Sequence, residues 1–231
     1  MHIPDGWIDP GILIIAWIFT IVGLFISVRK MKYIDERRIT YMAVLAGTIF
    51  AAQMLNFPIL GGTSGHLLGA ALATTIVGPW GGLLVISVVL IIQAILFGDG
   101  GILALGANIF NMGIVGVFVA YFIIRLMMVY TDPKQSSWMK IKYYGGVFLA
   151  SFLSVFIASF FASIEIGIPI LNSNSFVTFS EVLPIMLFYH LIIGIGEGVI
   201  TCVIVAYFNT IEMDVFLEVN NPSISFPLLR R

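Results

Sequence analysis

Apolar runs and polar breaks alternate along the chain at a spacing that fits membrane crossings. Residues 12–28 (ILIIAWIFTIVGLFISV) and about 39–56 are each long enough to cover roughly 30 Å of hydrocarbon at about 1.5 Å per residue. Residues 67–97 are apolar but too long for one ordinary span, and GPWGG at 78–82 interrupts them. Taken as a turn, the interruption leaves a segment of about twelve residues before it and a full span after it. GDGG at 98–101 then turns the chain into a helix running to about 128, and residues 144–163 and 182–208 supply two more. The pattern predicts an all-α, polytopic bundle of seven transmembrane helices.

The basic residues support that count. All 11 Lys and Arg fall into three groups: Arg29, Lys30, Lys32, Arg37 and Arg38; Arg125, Lys134, Lys140 and Lys142; and Arg230 with Arg231. Cytoplasmic loops collect such residues, so an even number of crossings must separate consecutive groups. Four spans between the first two groups meet this condition, and three, obtained by fusing 67–97, do not. The N-terminus is then expected outside and the C-terminus inside, with Asp5, Asp9, Asp99, Glu165 and Glu181 on the outer face. The segment after His66 offers only about 18 Å of helix. The preceding NFPILGGTSGH must therefore dip as irregular backbone, which is tolerated only where protein covers it. That places His66 inside the protein, near the depth at which transporters hold their substrates.

Composition agrees: 60% of the 231 residues are hydrophobic, 10% are charged, and the mean hydropathy is +1.07. The formal net charge of −1 gives no reason to expect a nucleic-acid partner. A single cysteine, Cys202, excludes an internal disulfide and a site built from several thiolates. No H-E-x-x-H, G-x-S-x-G or phosphate-loop pattern is present, so an ATP-driven role needs a separate ATPase.

Polar side chains within the apolar segments are few: Gln53, Asn56, His66, Gln93, Asn108, Asn111, His190 and Glu197. Such groups are either interhelical hydrogen-bonding partners or parts of a site. His190 and Glu197, two helical turns apart, share a face of the last helix. Ala43, Gly47 and Ala51 form a small-residue stripe, fit for an internal contact or for docking a second membrane subunit.

The opening, MHIPDGWIDPG, concentrates Pro4, Asp5, Gly6, Asp9, Pro10 and Gly11, turn chemistry that shapes a terminus. The large residue at position 2 predicts that Met1 is retained. Its α-amine and the deprotonated His2 amide can then close a five-membered chelate ring, and His2 Nδ1 a six-membered one. A second imidazole, from His66 or His190, would complete a square of nitrogens, a geometry suited to Ni(II) or Cu(II), open to Co(II), and foreign to tetrahedral Zn(II).

Four separated stretches, MHIPDG, GGTSGHLLG, GDGGILALGANIFNMGIVG and HLIIGIGEGVIT, together resemble the CbiM/NikM family. These are the substrate-capture (S) components of energy-coupling-factor (ECF) ABC transporters for cobalt and nickel. The resemblance runs from Met1 to about 208 and implies a single transmembrane metal-binding domain over 1–208, with 209–231 as a cytoplasmic tail. It implies Met1, His2 and His66 as the metal ligands and Ni(II) or Co(II) as the transported substrate. Asn108 and Asn111 are expected to hydrogen-bond the metal-bearing loop, and Gln93, His190 and Glu197 to support the site or pack helices. The implied partners are a transmembrane coupling (T) subunit, cytoplasmic ABC ATPases, a small accessory membrane subunit of the CbiN/NikN type and membrane lipid, at the plasma membrane. Two other classes fit parts of the pattern. One is a membrane-embedded metalloenzyme using Glu197, which a fourth nitrogen would leave without a vacant position. The other is a partner-independent channel, which tight chelation disfavours.

Overall fold

The computed structural model describes residues 1–59, 63–128, 136–171 and 177–210. The tail from 211 onward, Lys134, Arg230 and Arg231 lie outside the described residues. Helices α1 (Pro10–Lys30) and α2 (Glu36–Gln53) lead into a short antiparallel hairpin, β1 (Phe57–Ile59) and β2 (Thr63–Gly65), that pairs Phe57 with Gly65, Pro58 with Ser64 and Ile59 with Thr63. Then come α3 (Ala70–Ile92) with a π-turn at Gln93–Phe97, α4 (Leu105–Asn108), a π-segment at Ile109–Val115, α5 (Gly116–Met128), α6 (Ser137–Gly167) and α7 (Phe179–Thr210).

Local chemistry sets the helix starts. Asp9 accepts from Gly11 N at 2.8 Å with Pro10 at the first helical position, and Asp35 accepts from Arg38 N at 2.8 Å. Both helices therefore begin two or three residues earlier than the apolar runs predict, because a capped first turn can be polar. Likewise α6 and α7 exceed 144–163 and 182–208 at both ends.

Among the described residues five helical stretches are long and apolar enough to cross a bilayer: Pro10–Lys30, Ala70–Phe97, Leu105–Met127, Ser137–Gly167 and Phe179–Thr210. They make this a multi-pass membrane protein. The stretch Ala70–Phe97 is not one rod. Gly78 leaves the helix at φ 76°, ψ 175°, just ahead of Pro79, and a Cβ on Gly82 would stand 3.2 Å from Thr74 N. Eight residues of straight helix would hold those positions about 12 Å apart. The two arms of α3 therefore fold against each other at GPWGG, and α3 is buried along most of its length.

Burial is inverted relative to a water-soluble protein. Apolar side chains such as Phe25 on α1 and Phe188, Ile192 and Val203 on α7 face outward, whereas Gln53, Gln93, Asn108, His190 and Glu197 are buried. The close α6–α7 contact rests on Gly194 and Gly198, which lie on the rings of Phe152 and Phe148. The stripe of Ala43, Gly47 and Ala51 faces away from the bundle, so it is not an internal contact. Glu165 is buried on α6, where Asn111 Nδ2 donates to its carboxylate. The helix runs past the apolar boundary that sequence suggests, and the amide partner makes the buried carboxyl tolerable.

Candidate metal centre

The first three residues run into the bundle and are buried: Met1 is 1% exposed, His2 3% and Ile3 0%. Ile3 is held like a strand residue. Its N–H donates to Asn108 Oδ1 at 2.9 Å, and its carbonyl accepts from Asn108 Nδ2 and from Gly101 N, both at 3.0 Å. Asp5 then locks the return of the chain by accepting from Ile102 N at 3.1 Å and Ala104 N at 2.9 Å. Trp17 and Thr20 of α1 anchor the same loop from its other side through the carbonyls of Leu103 and Gly106.

This anchoring brings three nitrogens of two residues to one atom. The Met1 amine, the His2 amide nitrogen and His2 Nδ1 each lie 3.2 Å from Ser64 Oγ. A hydroxyl has one proton and two lone pairs, so the arrangement has one natural solution: Ser64 accepts from the amine and the amide and donates to Nδ1. His2 Nε2–H then donates to Gln93 Oε1 at 3.0 Å. The imidazole is thereby fixed in the tautomer that leaves Nδ1 as the basic nitrogen, the one a chelate with the amine and amide requires.

His66 follows β2 on the same strip of backbone. Ser64 and His66 are two residues apart, which in extended chain puts both side chains on one side. The rings of His66 and His2 lie 4.4 Å apart between centroids. His66 Nδ1–H donates to the carbonyl of Leu67 at 2.8 Å, and its Nε2 is buried with no hydrogen-bond partner among the described residues. A bare, buried imidazole nitrogen beside three convergent nitrogens has the donor chemistry of a fourth ligand. Among the described residues no cluster of three or more His, Cys, Asp or Glu side chains converges anywhere, so the centre depends on main-chain nitrogens.

Burial makes protons costly on the nitrogens of this site. Burial pushes the His2 ring down to about 3, helped by the N-terminal amine, and drives His66 well below its ordinary value for the same two reasons. Burial also drives the Met1 amine well below its usual range, against the pull of Asp99. Asp99 is itself raised by burial, opposed by the amine and by a 2.7 Å hydrogen bond from Asn56 Nδ2. Asp99 Oδ1 lies 3.4 Å from His2 Nδ1. With that ring neutral, the carboxylate's electrostatic partner is the amine.

The remaining polar residues have separate tasks. Both carboxylate oxygens of Glu197 accept backbone N–H groups, from Leu68 and from Gly69, and Gln53 Nε2 donates to the Leu68 carbonyl at 2.7 Å. Helices α7 and α2 thus hold the loop that carries His66, with both Glu197 oxygens engaged by backbone N–H groups. Asn108 and Gln93 touch the terminal loop directly, whereas Asn111 reaches only Glu165. His190 Nδ1–H donates to the Met186 carbonyl at 2.7 Å, leaving its Nε2 buried without a partner.

Ser64, Asp99 and Asp5 escape sequence reasoning as members of the site. Ser64 carries a usable signal, its alternation with His66. Asp5 and Asp99 carry none, since each acquires its partners only when the termini of distant segments meet.

Asn108 supplies two of the three hydrogen bonds on Ile3, so Asn108→Ala is expected to weaken by about 10–100-fold any chelate formed on these nitrogens, the usual cost of losing an orienting partner, with Ni(II) as the probe. A competition titration against a chromophoric chelator measures this, and an unchanged affinity would show that Gly101 and Asp5 hold the loop alone.

The family profile described as cobalt uptake substrate-specific transmembrane region matches residues 2–215. A chain of Archaeoglobus fulgidus named as fused nickel transport protein NikMN is 40% identical over 93% of this chain and 68% of its own length. The cobalt transport protein CbiM of Lachnoclostridium phytofermentans is 32% identical over 88% of this chain and 80% of its own. The crystal structure of a truncated transition metal transporter superposes with a TM-score of 0.82 at 34% identity, covering 91% of this chain and 99% of that one.

Proposed function

The chain belongs to the family of cobalt uptake substrate-specific transmembrane regions and is a cobalt or nickel transport protein of the membrane, and from that premise we propose that it captures one Ni(II) or Co(II) ion in a buried chelate formed by its first two residues and His66. The ligands are the Met1 amine, the His2 amide, His2 Nδ1 and His66 Nε2. One observation carries this reading: three nitrogens of Met1 and His2 stand at the same 3.2 Å from the Ser64 hydroxyl, beside an imidazole nitrogen that lacks any partner. The hydroxyl keeps the donors convergent and hydrogen-bonded until the ion takes its place between them. In the same reading the chain is the S component of an ECF-type ABC transporter. It crosses seven times with the N-terminus outside, carries its site in 1–208, and works with a T subunit, ABC ATPases and a CbiN/NikN-type accessory protein. The fused NikMN name of a relative supports the last of these.

Titrating the purified full chain with Ni(II) tests the centre. One equivalent should bind with the absorption spectrum and diamagnetism of planar four-nitrogen nickel, and a paramagnetic six-coordinate spectrum would overturn the assignment.

The pH dependence is also set. Metal binding must displace the amide proton at any pH, whereas burial holds both rings and the amine below their ordinary pKa values, so that fewer of their protons remain to be displaced. Log affinity should therefore rise with pH between about pH 5 and pH 8, but less steeply than the amide, amine and two ring protons of an exposed chelate would require. A slope near three would mean that the resting ligands carry protons the folded chain should exclude.

A further inference from the structure

His190 on α7 is left over from the capture centre. It is 0% exposed, its Nδ1–H is satisfied by the Met186 carbonyl at 2.7 Å, and its Nε2 has no partner among the described residues. Leaving a buried nitrogen bare is costly, so its persistence asks for a ligand. His66 has the same construction: one ring nitrogen donating to a backbone carbonyl, the other bare. Donation to a carbonyl is how metal-ligating histidines are ordinarily oriented and their basicity raised. Met186 ties together the segments that carry them: its carbonyl holds His190, and its Sδ accepts the Thr63 hydroxyl at 3.1 Å, three residues ahead of His66. His190 is also within electrostatic reach of His66 and of the N-terminal amine.

We propose that His66 and His190 together form a second, weaker station for the divalent ion, which receives it when the terminal chelate releases it toward the interior of the bundle. This inference rests on the capture centre described above. Its logic is the need to let go. A chelate that includes a deprotonated amide holds its ion tightly. A bare divalent ion at that depth would meet low-dielectric surroundings at prohibitive cost. His66, shared by both stations, keeps hold while His190 replaces the amine and amide, exchanging a four-nitrogen site for a two-imidazole one. Conduction through sites in series needs this kind of step down in affinity. Two neutral imidazoles without a thiolate suit the same borderline divalent ions and not Mg(II) or Ca(II).

The test separates the two stations. In the full chain extended by Gly-Ser ahead of Met1 and carrying His2→Ala, the capture chelate is gone. Cu(II), bound more tightly than Ni(II) by any nitrogen site, then serves as the probe. One equivalent should bind weakly, with two imidazole nitrogens coupled in its electron paramagnetic resonance spectrum. Adding His190→Gln should cut that affinity at least tenfold and leave one coupled nitrogen. No binding in the first chain, or binding unaffected by His190→Gln, overturns the proposal. In the chain with a free Met1, His190→Gln should keep the planar nickel spectrum, which also verifies folding. Loss of that spectrum would place His190 in the capture centre and overturn the separate station. If the unaltered chain lacks the planar spectrum, the capture reading fails by itself, independently of the copper result.

Discussion

Extending the chain by Gly-Ser ahead of Met1 is expected to weaken nickel binding at least 1,000-fold, about 4 kcal/mol. The extension converts the basic amine into an amide, removing the donor that closes the five-membered ring with the His2 amide nitrogen. It also has nowhere to go: Met1 is 1% exposed, and its amine already contacts Ser64. The added residues must therefore pull the first residues out of the bundle, taking His2 Nδ1 away from His66. Two residues are specified for a reason. A single added residue would place histidine third, and an amine, two amides and an imidazole would then make a new planar chelate of their own. Calorimetry on the extended chain, alongside a chain whose free Met1 is verified by intact mass, reads the effect. An affinity within threefold of the native chain would move the centre elsewhere, with His66 and His190 the remaining candidates.

The proposed ligands can be picked out in the sequence because their chemistry is local. An amine, an amide and an imidazole in two consecutive residues form a chelate wherever the terminus goes, and the glycines around His66 mark a loop rather than a helix. The parts that position the ligands were not legible. Ser64 reads as one polar residue in a short loop until the hairpin registers it opposite Pro58 and turns it toward Met1. Asp99 reads as an outer-face charge until Asn56 and the amine become its neighbours. Glu197 invites a catalytic reading because a buried carboxylate on a helix looks idle, and only the fold reveals two backbone N–H groups from the far end of another helix filling it. The helices themselves follow the apolar pattern, with errors at capped ends such as Asp9 and Asp35, where hydrogen bonding extends a helix into polar sequence.

Gly101 shows how much of the site's precision is held outside its ligands. GDGG announces a turn, and any of its glycines could be there for conformational freedom alone. Gly98 is such a case: its φ is 65°, and a Cβ there would meet nothing. Gly101 differs, because a Cβ there would overlap both the carboxylate and the backbone nitrogen of Asp5. A side chain can rotate away, but a main-chain nitrogen cannot. Asp5 must then retreat, and with it go its bonds to Ile102 and Ala104 and the Gly101–Ile3 bond that fixes the residue next to His2. Gly101→Ala is therefore expected to weaken nickel binding about 100-fold while leaving the helices folded, since a displacement near 1 Å is enough to spoil a site that depends on convergence. Gly98→Ala is the companion, with a backbone penalty of about 1 kcal/mol in stability and an affinity within a few-fold of native. Circular dichroism verifies the helices, and nickel titration reads the site. Equal affinities in the two variants would mean that the opening residues find their place through Asn108 and Ser64 alone, and that the Asp5 contact only closes the loop behind them.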